Sequence, residues 1–373
     1  MHHCPEMVLS KPSRIILEFT SRCNLQCAYC QNAFAEHRAQ GCDIDDQVLS
    51  KAIDYILQNN VEIVCVNGHG ETTIYKNWHL HCNRMLEKGI RLGIITNLAK
   101  KYSSDEIDTL SRFATIEASC DTSDPELFAF LRKGNTLERF MDNIKIIRQR
   151  AVNDNRPAPL FVWSCVITDK NVWGLCEYIH FGVTHGIKSF NICNYTQLPD
   201  IKDRQVPKHI ADLPFESFLQ AAYIIRETKA RFSVVGIEIN INDGLVDRIN
   251  KRIGNEQSRS GDFQQPGNSN RLLESIPEGM TRNCQDPWHT AFILHTGEVR
   301  PCCVGISVGK IDKNTGLDEI YNGENIKKLR QRLLSGKLTK ACSNCPTAGL
   351  INIDLFKAHI KEVIAKVPEI HAP

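Results

Sequence analysis

The chain has 373 residues, with Lys plus Arg at 45 and Asp plus Glu at 43, so its formal net charge is +2. Hydrophobic residues make up 42% and charged residues 24%, which excludes a disordered chain and fits a soluble globular protein. The near-neutral balance gives no electrostatic case for nucleic acid or membrane partners.

The longest apolar stretch, around Leu160 to Ile167, is strand-sized and far short of the roughly 18 residues a membrane span needs. The opening MHHCPEMVLSK has neither a basic nor an apolar signal-peptide region, so a cytoplasmic location is expected. Without a secretory context, the 16 cysteines point to metal binding or catalysis rather than disulfides.

In chain order, strand and helix patterns alternate. Arg14–Phe19 reads as a strand, and Asp45–Leu57 as a helix with Val48, Leu49, Ala52, Ile53 and Ile56 on one face. Glu62–Val66 is a second strand ending in a Gly-rich turn. Trp78–Lys88 is a helix that Gly89 stops, and Arg91–Thr96 is a third strand. Ser104–Phe113 is a helix capped by Ser103 or Ser104, and Thr115–Ser119 is a fourth strand. Thr136–Arg150 is helical, and Leu160–Thr168 and Ser189–Cys193 are strands separated by a helix from Asn171 to about His185. This alternation predicts an α/β fold, a partial (β/α)6 barrel of TIM type spanning 12–240. The polar run at 255–280 predicts a connecting segment or loop, assigned to 241–280. Residues 281–348 are short, turn-rich and hold five of the cysteines, so they predict a small domain stapled by metal. A helix at about Ile351–Ala365, within 349–373, closes the chain.

Cys23, Cys27 and Cys30 form C-x3-C-x2-C just after the first strand. Thiolates at this spacing can converge on one metal centre, and three ligands leave a position open. A zinc loop with Cys42 as fourth ligand is the alternative. CNLQCAYC in this position resembles the signature of the radical S-adenosylmethionine (radical SAM) superfamily, with Tyr29 at its aromatic position. The resemblance implies a [4Fe-4S] cluster on the three cysteines, with SAM on the fourth iron and its cleavage to a 5′-deoxyadenosyl radical. Gly68-His69-Gly70-Glu71-Thr72 resembles the family's Gly-Gly-Glu-Pro turn for the SAM amino group. Gly70 and Glu71 match, while His69 and Thr72 replace Gly and Pro. Thr96-Asn97 stands where the family often has Thr-Asn-Gly. Ser119 ends the fourth strand, where the family's polar side chains often touch SAM. Asp121–Gly134 resembles the family's next loop, in which Arg132 is a common feature. Tyr29, Gly70, Glu71, Asn97, Ser119 and Arg132 are therefore the expected cofactor-binding residues.

Cys284, Cys302, Cys342 and Cys345 form a second group. The stretch from Cys284 to Cys302 reads C-x12-G-x4-C around Gly297, with a hairpin-like middle that brings its ends together. Four thiolates can close a site completely, holding either iron–sulfur or zinc. This half resembles the auxiliary-cluster extension of radical SAM proteins, SPASM in full form and twitch in short form. No cysteine follows Cys345, which implies one auxiliary [4Fe-4S] cluster and two clusters in all. Cys303 could replace Cys302, although the spacing from Gly297 favours Cys302. Of the remaining cysteines (Cys4, Cys42, Cys65, Cys82, Cys120, Cys165, Cys176 and Cys193), most read as small buried hydrophobes. Cys120 and Cys193 lie near the C-terminal ends of strands, where a thiol could give a hydrogen atom to a substrate radical.

A closed second cluster suits electron transfer. The resemblance to the twitch-type dehydrogenase of aminocyclitol biosynthesis favours net oxidation of a small molecule, such as a sugar or cyclitol. The alternatives are an epimerase, a peptide-modifying maturase, or a non-catalytic Fe–S or zinc protein. Peptide maturases often carry an N-terminal leader-binding domain, and only about a dozen residues precede the first strand here, which lowers that reading. An electron donor such as flavodoxin or ferredoxin is the implied partner.

Overall fold

A computed structural model of the protein describes residues 11–195, 206–259, 276–302, 305–345 and 348–365. Its strands are β1 (Arg14–Leu17), β2 (Ile63–Cys65), β3 (Arg91–Thr96), β4 (Thr115–Ser119), β5 (Leu160–Ile167), β6 (Ser189–Asn194), β7 (Glu238–Ile241), β8 (Met280–Arg282), β9 (Thr290–Ile293), β10 (Glu298–Arg300), β11 (Gly309–Lys310) and β12 (Leu350–Asn352). The chain folds as two compact units, residues 1–21, 42–92 and 266–373 in one and residues 22–41 and 93–265 in the other. The result is a mixed α/β fold with a largely parallel strand core and a small C-terminal cysteine-rich segment. No helix among the described residues is long and apolar enough to cross a membrane.

In the first unit β1 is flanked by parallel partners, β2 with Ile15 opposite Val64, and β9 with Ile15 opposite Ala291. β10 and β11 continue antiparallel from β9. The cysteine-rich segment thus contributes a strand directly to the sheet that begins the chain. β9 is buried throughout, while β1 and β2 bury alternate residues, Ile15, Leu17 and Val64. The helix Asp46–Gln58 starts where Asp45 accepts from the Gln47 and Val48 amides, and it buries the apolar face its spacing predicts. The hairpin between β9 and β10 turns at Gly297, whose φ is +82°. A Cβ there would lie 2.8 Å from the Ile311 carbonyl oxygen, so only glycine fits.

In the second unit β3 to β7 run parallel in sequential order. Alternation along the strands gives the two faces different characters. Ile116, Ala118, Phe161, Trp163, Cys165, Phe190, Ile192 and Ile239 are buried on one face. Trp163 packs there against Phe140, Tyr178 and Phe190, with centroids 5.7, 5.8 and 6.1 Å away. The other face carries half-buried Glu117, Ser119, Ser164, Asn191 and Cys193, and exposed Asn240.

Several expected boundaries move. The helix from Trp78 ends at Leu86, after which Gly89 takes a φ of +77° and returns its amide to the Leu86 carbonyl. Ser103 is the cap of the next helix, in a capping box with Glu106. A seventh parallel strand, β7, extends the six expected repeats, reached through the helix Phe215–Ser233. The segment 241–280, expected to connect or loop, begins instead as the helix Asp243–Arg259. Leu245 and Ile249 are its buried contacts, and two apolar positions in so polar a run are a weak periodic signal.

Replacing Trp163 with Ala removes the ring on which Phe140, Tyr178, Phe181 and Phe190 rest. It should lower unfolding free energy in urea by about 3–5 kcal/mol, the range for large buried aromatic truncations.

Candidate cluster and cofactor site

The cysteine loop belongs to the second unit. Cys27 is buried, while Cys23 and Cys30 are half-buried. The three thiols pack with Leu25, Tyr29 and Ala99. The loop backbone is held by the segment beyond β4, with the Gln26 amide donating to the Lys133 carbonyl at 3.0 Å and Ala28 to Leu131 at 2.9 Å.

A buried ion pair sits behind the loop. Arg132 Nε and Nη2 donate to the two Asp121 oxygens at 2.6 and 3.0 Å. Tyr29 Oη donates to Asp121 Oδ2 at 2.6 Å, and the Val166 amide to Oδ1 at 2.9 Å. The Arg132 guanidinium also lies over the Tyr29 ring, 5.4 Å from its centroid. Burial pushes the Cys27 thiol up to about 11, while the Arg132 charge and its hydrogen bond to the sulfur act the other way. Tyr29 and Arg132, expected at SAM, are thus engaged with Asp121 and Cys27.

Asn97 is engaged in the same way. Its Nδ2 donates to Asn24 Oδ1 at 2.9 Å and toward Cys23 Sγ at 3.8 Å, and its Oδ1 accepts from the Ala99 amide. Leu98 follows where the family has Gly, and it takes the left-handed φ of +48° that Gly would favour. Its carbonyl accepts from buried Asn143 at 2.8 Å. The Leu25 amide donates to Cys23 Sγ at 3.4 Å. Donors directed at sulfur suit thiolate ligands, since they stabilise negative charge on a metal-bound thiol.

Ser119 and Cys193 lie on the half-open face of the β4–β6 sheet, where Cys193 Sγ is 3.4 Å from Ser164 Oγ. Cys120 is fully buried, and its thiol donates to the Thr122 carbonyl.

Gly70 and Glu71 lie in the first unit, on the turn after β2. The turn is closed by Thr72 Oγ1 donating to the Val66 carbonyl at 2.7 Å, in place of a proline ring. Buried Glu71 caps the next short helix by accepting from the Thr73 amide and hydroxyl. Beside this turn stands Glu18, which follows β1 and is fully buried. It accepts from the His69 amide, the His295 amide at 3.1 Å and His295 Nδ1 at 2.7 Å. Burial alone would raise the Glu18 carboxyl, but these hydrogen bonds hold it below the usual range. Sequence reasoning passed over Glu18, although a carboxylate ending an apolar strand is itself a signal.

The second thiol group also lies in the first unit. Cys284, Cys302, Cys342 and Cys345 are all half-buried. Cys284 is close enough to Cys302 and Cys345 for their charges to interact, and burial raises its thiol. Cys303 lies outside the described residues. Cys342 begins a knuckle in which the Cys345 amide returns to the Cys342 carbonyl and the Ala348 amide donates to Cys345 Sγ at 3.4 Å. Arg282, unnoticed in the sequence, clamps this knuckle by donating to the carbonyls of Cys342, Ser343 and Ala348 at 3.1, 2.5 and 2.8 Å. Among the described residues, no group of three or more His, Cys, Asp or Glu side chains is gathered for a metal ion. A cubane takes one thiolate per iron corner, so its ligands need not meet on one atom. Both thiol sets, with amide and guanidinium donors behind them, fit such a group.

Residues 17–162 match the radical SAM superfamily and residues 284–346 match the SPASM iron–sulfur cluster-binding domain. The chain is 22% identical over 348 residues to the antilisterial bacteriocin subtilosin biosynthesis protein AlbA of Bacillus subtilis (strain 168), covering 91% of this chain. It spans about two thirds, 66%, of that protein's length. Among solved structures, the fold is shared with Streptococcus suis SuiB bound to its precursor peptide SuiA, with a TM-score of 0.61 at 17% identity, covering 94% of this chain and 74% of SuiB. It is also shared with anSMEcpe carrying AdoMet and the Cp18Cys peptide, with a TM-score of 0.57 at 17% identity, covering 89% and 86% of the two chains.

Changing Arg132 to Met strands the buried Asp121 carboxylate. Urea unfolding should register a loss of about 3–5 kcal/mol, the usual cost of breaking such a pair. Arg282→Met should spare global stability by comparison but speed iron loss from the reconstituted protein to a chelator, followed by absorbance.

Proposed function

We propose, for a chain that belongs to the radical SAM superfamily and carries a C-terminal SPASM/twitch-type iron–sulfur domain, that it is a peptide-modifying radical enzyme with two [4Fe-4S] clusters. Cys23, Cys27 and Cys30 hold the open cluster, and Cys284, Cys302, Cys342 and Cys345 the closed one. The reading is carried by the match to AlbA across 91% of the chain. Structures of SuiB with a precursor peptide and of anSMEcpe with a peptide support it. Together they favour a peptide over the sugar or cyclitol that the resemblance to the twitch-type dehydrogenase implies.

When bound, the reduced open cluster and SAM supply a carbon radical able to abstract hydrogen from an unactivated position. The chain's own residues do the rest. Arg132, Asn97 and the Leu25 amide place donors around the Cys23 and Cys27 sulfurs. Gly70 permits close backbone approach to the SAM amino group and Glu71 supplies a carboxylate to it. The half-open face at Ser119, Ser164 and Asn191 offers neutral donors and acceptors to a peptide backbone. Cys193, half-buried on that face, is better placed than buried Cys120 to meet a substrate. A flavodoxin or ferredoxin would deliver the electrons.

Anaerobic reconstitution should load about eight irons per chain, two cubanes of four. Dithionite and SAM should then release 5′-deoxyadenosine. Joint replacement of Cys23, Cys27 and Cys30 by Ala should abolish that release and keep about four irons. Cys342→Ala with Cys345→Ala should spare SAM cleavage. Release that candidate precursor peptides quicken, with a mass change in the peptide, supports the peptide reading. Release quickened only by cyclitols would overturn it.

A further inference from the structure

We infer that Glu18 and His295 are positioning residues for SAM, a strut through which the β9–β10 hairpin of the auxiliary domain sets the shape of the Gly68–Glu71 turn. The inference rests on the reading of that turn as the SAM amino-group site. Its own support is the geometry inside the first unit.

Three parallel neighbours end side by side. β9 delivers His295, β1 delivers Glu18, and β2 delivers the turn. The C-terminal ends of parallel strands are where α/β folds place ligands. Glu18 bridges all three ends, since its Oε1 takes the His69 amide and its Oε2 takes both donors of His295. Charge-assisted bonds of this kind are the stronger sort, and a fully buried carboxylate cannot exchange them for water. The turn is moulded to the carboxylate. A Cβ on Gly68 would fall 2.3 Å from Glu18 Cγ and from Oε1, so the carboxylate occupies the space a side chain would need. The hairpin makes a second contact, where the His69 ring lies 6.3 Å from that of buried Phe292 on β9, tilted by 30°. Histidine in the family's glycine position thereby gains a partner from the auxiliary segment. Gly70 and Glu71 follow within two residues, so their placement depends on where the His69 amide is anchored.

The test uses the reconstituted holoenzyme with SAM as probe, in equilibrium dialysis and by titration of the reduced cluster's electron paramagnetic resonance signal. Glu18→Gln and His295→Ala are each expected to weaken SAM binding about tenfold, with iron content unchanged. The spectrum at saturating SAM should match that of the wild type, a signature that general damage would not leave. The double variant should bind no more weakly than Glu18→Gln alone, because His295 acts through Glu18. His295→Gln, which keeps a donor for the carboxylate, should recover part of the affinity. Binding within about twofold of the wild type in both single variants, with clusters loaded, would overturn the inference. If Glu18→Gln does not fold, the pair at position 295 decides: recovery by Gln over Ala supports the strut, and equal affinity in both refutes it. Wild-type holoenzyme that fails to bind SAM would refute the SAM reading of the turn and this inference with it.

Discussion

The Asp121–Arg132 pair is the constraint on which the candidate cluster site depends. Its carboxylate is fully buried and its guanidinium nearly so. Such a pair stabilises little by itself, because desolvation offsets most of the attraction. What it imposes is geometry. Each lone pair of Asp121 must be matched, and the matching groups come from Tyr29 in the cysteine loop, Arg132 after the next helix, and Val166 in β5. The loops after β4 and before the cluster are thereby tied to one carboxylate. The Cys27 sulfur is set beside Arg132 as a consequence.

Each compact unit places one buried carboxylate just beyond a parallel strand, Asp121 after β4 and Glu18 after β1. Glu18 accepts from groups that follow β2 and β9, Asp121 accepts from Tyr29, Arg132 and the Val166 amide within β5, and both carry hydrogen bonds that no solvent could replace. A carboxylate just beyond a strand accepts from several chain segments at once and fixes their positions. The same solution serves a thiolate loop in one unit and the turn of Gly70 and Glu71 in the other.

Periodicity revealed the strands and most helices, because β4 alternates cleanly, β3 is a short apolar run and the helix Asp46–Gln58 has a continuous apolar face. Cysteine spacing singled out both thiol sets, because the ligands of one metal centre recur at short separations. What stayed hidden was long-range. Nothing local in WHTAFIL announces that Thr290–Ile293 pairs with Arg14–Leu17 across more than 270 residues. Nor does a lone Arg282 announce that it holds three carbonyls sixty or more residues away. The expected roles of Tyr29, Asn97 and Arg132 rest on motif position, which places a residue near the cysteine loop without naming the atoms it touches, here those of Asp121, Asn24 and Cys23.

The departures from the family motifs follow one physical logic. A glycine or proline in a turn supplies a conformation through its backbone, and a substitute must supply it through contacts. Leu98 holds a left-handed φ that costs on the order of 1 kcal/mol for a residue with a Cβ, and full burial of its side chain contributes more than that in return. Thr72 lacks the ring of proline and closes its turn with a hydroxyl on the Val66 carbonyl. His69 gives up the freedom of glycine and rests its ring near Phe292. In each case the turn survives because a neighbour outside the motif has taken over the constraint. Motif mismatch therefore moves the determinant of the site into Asn143, the Val66 carbonyl and Phe292, and substitutions at Asn143, Thr72 and Phe292 become the sensitive ones.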